Sequence, residues 1–379
     1  MYSLFDYGEM LGDTRRCQAY SKAISASVRP GDAVLEIGCG PGLFSLLACR
    51  AGARRVYAVD SEEIVHHARD LAAANGCADR IEFVHSDSRK LKLPEQMNVI
   101  ISDIRGSLPF FNHAAASIED ARQRFLSPRG IMIPARDILK AAIIDAAEYY
   151  SRLTSPWRTC ASGIDLSQSL LLILNGCYTT NFKADQLLTE SKSWWVLDYQ
   201  SGAVADASAE LCFSVAQAGT AHGICVWFET ELFDGIGFST APSGSRGVYG
   251  QRFFPWPQAV ALKAGQEVQV RLAADLVGGD YVWRWETQIT PPSGVALHFQ
   301  QSTFQGAEFT PAALHCRSAG FVPALSEGGQ VDRWLLQAMD GKTSLQQIAQ
   351  AAAQRFPAIF RRWENALHRA AELARQFSR

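Results

Sequence analysis

Val34-Leu-Glu-Ile-Gly-Cys-Gly-Pro-Gly-Leu43 joins an apolar run to three closely spaced glycines. Ala33–Ile37 is a short, mostly apolar run that reads as a buried strand, and Leu43–Ala51 behind it reads as a helix. Between them, Gly38, Gly40 and Gly42 permit a sharp turn and a close approach of an adenosine-bearing ligand to the backbone.

Working outward, Val56–Val59 is a second strand ending at Asp60, and Ile64–Asn75 is a helix. Ile81–Val84 supplies a third strand, and Asn98–Ser102 a fourth that ends at Asp103. Short apolar strands alternating with amphipathic helices predict an open, mostly parallel α/β sheet of the Rossmann-like kind. Upstream, residues 10–30 suit a helix that Gly12 interrupts.

The pattern changes near Pro128 and Pro134. Beyond it, Ser169–Leu174, Cys212–Val215, Gly223–Thr230 and Val268–Ala273 favour strands, with glycine and proline between them. This predicts an antiparallel, barrel-like β domain. The tail changes again: Val331–Met339 suits a helix, Thr343 or Ser344 can cap another running towards Phe356, and Pro357 breaks it before Arg361–Phe377. The expected domains are therefore 1–135, 136–309 and a small, mainly helical 310–379.

Composition narrows the class of function. The 379 residues are 47% hydrophobic and 20% charged with a net charge of -2, so the chain is neither a polyelectrolyte nor held on nucleic acid by a broad positive field. Arg54-Arg55 and Arg361-Arg362 are short basic pairs without a basic-aromatic track, which makes a nucleic-acid partner the weaker reading. Nine cysteines are scattered with no CxxC pair, so neither a disulfide scaffold nor a metal site is expected. With no export signal and no apolar run of membrane-spanning length, the expected location is the cytoplasm.

The glycines alone leave nucleotide cofactors and methyl donors about equally placed. Three further features separate them. The spacing is GxGxG with a proline inside it, whereas a dinucleotide site more often carries GxGxxG. Glu36 places negative charge where the cationic end of S-adenosylmethionine would lie. Asp60 ends the next strand, where an acid can accept from two ribose hydroxyls. Asp87, after the third strand, is either an acceptor for the adenine amino group or an ordinary loop acid. The expected cofactor is S-adenosylmethionine, with S-adenosylhomocysteine as its product.

These same segments carry a family resemblance. Val34–Leu43, Val56–Ile64 and Asn98–Arg105 resemble the class I methyltransferases, and especially their protein arginine methyltransferase branch. Glu9-Met-Leu-Gly-Asp-Thr-Arg-Arg-Cys-Gln-Ala-Tyr20 resembles the opening of that branch, and the likeness extends over residues 2–305. It implies that Asp13, Arg16 and Tyr20 close over the cofactor, with Arg16 on the methionyl carboxylate and Asp60 on the ribose.

The acceptor side departs from the family. Ser102-Asp-Ile-Arg-Gly-Ser-Leu-Pro-Phe-Phe-Asn-His113 is similar to a loop that carries two glutamates in arginine methyltransferases, and here Asp103 and Asn112 take those places. A guanidinium fork is best matched by charged carboxylates, so the loss of one weakens the match. Gly247-Val-Tyr249 stands where relatives carry Thr-His-Trp, leaving Tyr249 as an aromatic wall and Val248 in place of the histidine. His113 reads either as a base or, more simply, as a polar helix-start residue, since imidazole exchanges a proton near neutral pH. Arg105 reads as binding an acidic substrate or as stabilising the cleft.

The expected catalytic set is Asp103, Asn112 and His113, with Arg105 and Tyr249 on the substrate. The expected reaction is methyl transfer to an amine- or guanidine-like nitrogen of a small metabolite or peptide. Protein arginine N-methylation is the nearest alternative, and a non-catalytic S-adenosylmethionine-binding adaptor is a further one. The tail at about 318–365 resembles small PqqD-like peptide-binding domains through Val331–Ile348 and Arg355-Phe-Pro357, which implies a peptide or carrier partner; a plain helical cap explains the same residues. Gly163–Thr179 reads as a dimerisation arm or as a barrel strand.

Overall fold

Five parallel strands carry the glycine turn, in a computed structural model that describes residues 2–160, 162–202, 206–242, 247–290, 295–308, 310–316 and 318–378. Two helices come first, α1 (Leu4–Gly12) and α2 (Thr14–Ser27). They are separate because Asp13 caps α2, its Oδ1 accepting from the Arg16 N–H at 3.1 Å. There follow β1 (Ala33–Ile37), α3 (Leu43–Ala51), β2 (Arg55–Asp60), α4 (Ile64–Ala74), β3 (Ile81–His85), β4 (Met97–Ser102), α5 (Ala114–Phe125) and β5 (Leu126–Ile133).

The strand order is β3-β2-β1-β4-β5, so the chain order reverses between β1 and β4. Loops leaving β1 and β4 therefore diverge, and a crevice opens at the carboxyl ends of the strands. Every residue of β1 is buried, which explains why this strand reads as a continuous run rather than an alternating one.

The antiparallel part comprises β6 (Arg136–Ile144), α6 (Ala147–Arg158), α7 (Ser169–Leu174), β7 (Tyr178–Thr180), β8 (Lys192–Asp198), β9 (Ala207–Ser214), β10 (Gly219–Phe233), β11 (Ile236–Ser239), β12 (Gln251–Leu262), β13 (Glu267–Val277), β14 (Asp280–Ile289) and β15 (Leu297–Ser302). One sheet runs β7-β12-β10-β6-β8, with β11 added on β10, and a second runs β15-β14-β13-β9. Aromatic contacts join them: Phe254 meets the rings of Trp283 and Trp285, each at 5.2 Å, and the Trp285 indole donates to the Pro255 carbonyl.

Ser169–Leu174 is a helix, not the strand its apolar run suggests. The segment is rich in leucine, a strong helix former, and shows no polar alternation to favour a half-buried strand. Asn175 ends it by donating from Nδ2 to the Leu171 carbonyl at 2.8 Å.

The chain divides into two compact units, residues 1–307 and 308–379. The second contains α8 (Pro311–His315), α9 (Glu327–Ala338), α10 (Leu345–Arg355) and α11 (Trp363–Phe377). Its own core includes Val331, Leu335, Ile348, Ala352, Ala366 and Leu373. Ser344 caps α10 in a capping box with Gln347, and Arg369 on α11 forks onto Asp332 on α9. Among the described residues, no helix is long and apolar enough to cross a membrane.

Candidate active site

The glycine turn is tied to the neighbouring strand before it meets any ligand. Gly38 and Cys39 donate their N–H groups to the Val59 carbonyl at 2.8 and 3.0 Å. Gly38 has φ +70°, and a Cβ there would lie 2.3 Å from Ile104 Cγ2, so the loop after β4 rests directly on this glycine. Asp60, at the end of β2, accepts from the Gly40 N–H at 2.8 Å and from the Glu62 N–H at 2.9 Å. Burial pushes its carboxyl above the usual range even though these two N–H groups oppose the shift.

Glu36 lies beneath the turn and is only 2% exposed. Burial raises its carboxyl to about 8, against the hydrogen bond that the Ser45 hydroxyl donates to Oε2. The glycine turn, α1 and the loop after β4 enclose a cavity of about 540 Å³. It has room for an adenosyl methyl donor.

Around Asp103 lies a web of buried charge. Arg16 Nε donates to Asp103 Oδ2 at 2.6 Å and to the Tyr249 hydroxyl at 3.1 Å, while Nη1 donates to the Met10 carbonyl at 3.1 Å. The Tyr249 hydroxyl reaches both Asp103 oxygens, at 2.7 and 2.6 Å. Arg105 Nη2 donates to Asp103 Oδ1 at 3.0 Å. Burial alone would raise the Asp103 carboxyl, but the charges of Arg16 and Arg105 and the Tyr249 hydrogen bond hold it at about 2. Burial and the neighbouring Asp103 raise the Tyr249 hydroxyl far above its usual range, so it is a neutral donor throughout.

The structure gathers most of the residues singled out in the sequence. Arg16, Glu36, Gly38, Gly40, Asp60, Asp103, His113 and Tyr249 all line the one cavity. Asp87 also lines it, yet Arg89 covers its carboxylate with donors at 2.8 and 3.1 Å, which holds the carboxyl low. Gly42 stands behind the wall as the N-cap of α3.

Two expectations need correction. Arg105 is not on the substrate face: its side chain is fully buried and its fork is filled by neighbouring side chains. Asn112 is exposed, does not line the cavity and has a left-handed backbone at φ +45°. It does not stand beside Asp103 as a second acceptor contact.

Sequence reasoning missed Asp137, Tyr199 and Thr230, which complete the shell around Arg105. Asp137 stands at the head of the mostly apolar stretch Ile138–Ile144, broken only by Lys140, and a buried acid there calls for a paired donor.

A parallel sheet with its switch point at β1 and β4, a glycine turn and an acid ending β2 define a class I methyltransferase. A methyltransferase domain family matches residues 34–130, and an arginine methyltransferase oligomerization subdomain matches residues 136–277. Together the two matches make residues 34–277 similar to the arginine methyltransferases, and the cofactor is S-adenosylmethionine. It is 29% identical over 247 residues to "Probable protein arginine N-methyltransferase 6" of Arabidopsis thaliana, a match covering 62% of this chain but only 56% of that relative. It is 28% identical over 270 residues to the "Arginine N(omega)-methyltransferase" of Streptomyces achromogenes subsp. streptozoticus, covering 69% of this chain and 74% of that one. The fold is similar to that in the Trypanosoma brucei PRMT1 enzyme-prozyme heterotetrameric complex with AdoHcy, with a TM-score of 0.73 and 20% identity over 78% of this chain and 97% of that one.

The donor set fits the cofactor. The glycine turn brings bare backbone to the cavity, Asp60 offers lone pairs at its edge, and Glu36 and Arg16 supply an anion-forming group and a cation. Arg16 uses its Nε and Nη1 within the protein, and a guanidinium carries five N–H donors in all.

Proposed function

We propose that this protein transfers a methyl group to the guanidino nitrogen of arginine in a protein or peptide. The relatives favour this over the wider expectation of an amine or guanidine in a small metabolite. The observation that carries the reading is Asp103: an ionised carboxylate that lines the cavity just after β4, one strand over from the glycine turn.

S-adenosylmethionine, when bound, supplies an electrophilic methyl on a sulfonium and leaves as neutral S-adenosylhomocysteine. Gly38, Gly40 and Asp60 would hold its adenosine end, with Asp87 and its partner Arg89 towards the adenine. Arg16 and Glu36 orient the methionyl end. Asp103 attracts the acceptor guanidinium and aims one nitrogen in line with the methyl. Tyr249 walls the acceptor and keeps Asp103 oriented through its hydroxyl.

Methylation of a guanidino nitrogen takes one proton from it, which a group on this chain would have to accept. A carboxyl held at about 2 accepts that proton poorly. His113, on the same cavity wall, takes it on its imidazole.

The oligomerization subdomain supports self-association. Ile164 and Leu171, near and on α7, are 62% and 64% exposed, an apolar surface that a second copy would cover. We assign the C-terminal unit to peptide or carrier binding, because it has its own core and leaves Trp334 and Phe356 half-buried and Ile359 exposed.

The test is incubation with labelled methyl donor and three acceptors: an arginine-rich peptide, the same peptide with lysine for arginine, and free arginine. Mass spectrometry locates the label. Labelled arginine in the first peptide supports the reading; label on free arginine alone replaces it with a metabolite enzyme. Cofactor binding without any labelling would favour an adaptor.

A further inference from the structure

Arg105 occupies a place that the methylation chemistry does not explain. Its guanidinium is fully buried and bonded to four side chains from four parts of the fold. Nη1 donates to Asp137 Oδ1 at 2.6 Å on β6 and to Thr230 Oγ1 at 2.8 Å on β10. Nη2 donates to the Tyr20 hydroxyl at 2.8 Å on α2 and to Asp103 Oδ1 at 3.0 Å. Asp137 is itself completed by the Tyr199 hydroxyl at 2.7 Å on Oδ2.

Stability alone is a poor reason for this arrangement. A buried ion pair is often no more stabilising than apolar side chains of similar volume, because both charges must be stripped of water. Arg105 Nε, moreover, is buried with no hydrogen-bond partner. Such a cost is retained where orientation matters.

The orientation it fixes is that of Asp103. Arg105 holds Oδ1 from the barrel side, and Arg16 holds Oδ2 from the cofactor side. We infer that Arg105, clamped by Asp137 and Tyr199 of the antiparallel domain, is a positioning residue that aims the Asp103 carboxylate into the acceptor half of the cavity. The two domains thereby share one catalytic geometry: β6 and the segment after β8 set a side chain at the end of β4.

This inference rests on the arginine methylation reading, so its test has one arm that does not depend on turnover. The charged groups facing Asp103 are Arg16, Arg105 and, through Arg105, Asp137, with the hydroxyls of Tyr20 and Tyr249 beside them. The first arm is carboxyl-carbon NMR titration of Asp103 in the full chain with S-adenosylhomocysteine bound. Arg105→Leu combined with Asp137→Leu removes both charges and avoids leaving either unpaired; Tyr199→Phe is a milder variant that keeps both. We expect the double variant to fold and to move the Asp103 titration upward towards the ordinary carboxylate range.

The second arm is steady-state kinetics. The double variant raises the acceptor KM at least 10-fold and leaves S-adenosylhomocysteine affinity within about threefold. Tyr199→Phe moves KM in the same direction by a smaller factor. A folded double variant with unchanged Asp103 titration and unchanged KM overturns the inference and makes the cluster purely structural. If the double variant fails to fold, Tyr199→Phe decides: unchanged titration and KM overturn the proposal. Absence of arginine methylation by the wild type contradicts the functional reading instead, and the titration arm still decides this one.

Discussion

Arg16 Nε lies 2.6 Å from Asp103 Oδ2, joining two residues 87 positions apart in the chain. The first stands on α2 beside the cofactor turn, and the second ends β4 on the acceptor side. One charged contact therefore links the two halves of the cavity, and a change at either residue is felt at both.

Asp103 sets the first prediction. Its carboxyl is held at about 2, below the ordinary 3.8. A depressed acid adds stability above its unfolded value and loses that contribution as pH falls through its folded value, here from about 4 down to about 2. Asp103 therefore gives no limb to the activity profile between pH 5 and pH 9. Asp103→Asn lowers kcat/KM by about 100-fold across that whole range. A wild-type limb in this range that vanishes in the variant would contradict the assignment.

Glu36 predicts the opposite sign. Its folded value is about 8 against an ordinary 4.5, so the folded protein binds the extra proton. The associated stability is complete below about 4.5 and is lost as pH rises to about 8. Thermal melts at pH 5, 7 and 9 should show Glu36→Gln gaining on the wild type as pH rises. Parallel Tm curves for the two proteins would remove Glu36 from this role.

Gly279 tests His113 from a distance. The glycine has φ +94°, and a Cβ there would lie 2.6 Å from His113 Cε1. Gly279→Ala costs about 1–2 kcal/mol of stability from the backbone alone. It also displaces the imidazole, and we expect kcat to fall several-fold with cofactor affinity unchanged. Unchanged kcat in Gly279→Ala and in His113→Ala would leave His113 a loop residue.

Self-association is checked at Leu171, whose side chain is 64% exposed. Leu171→Glu puts a charge on that apolar surface and should shift sedimentation towards the monomer at micromolar concentration. Identical sedimentation of variant and wild type would place the interface elsewhere.

The cofactor half of the site was legible because backbone chemistry writes itself into sequence. Gly38 and Gly40 follow β1 and Asp60 ends β2, so their meeting at one end of the sheet is readable from chain order alone. The acceptor half was less legible, because Arg105 and Asn112 are separated only by how the loop turns. The burial of Arg105 depends on β6 and β10, which meet the loop only in the folded chain. The strand expectation at Ser169–Leu174 failed for another reason: a short apolar run serves a helix or a strand equally, and its leucine content and the Asn175 stop favour the helix.

The most direct test of the central claim is the location of the transferred methyl. Purified protein, labelled S-adenosylmethionine and an arginine-rich peptide should give peptide labelled on the arginine guanidino group, with no label on the matched lysine peptide. Label on lysine, on another atom, or on free arginine but never on the peptide would contradict the account.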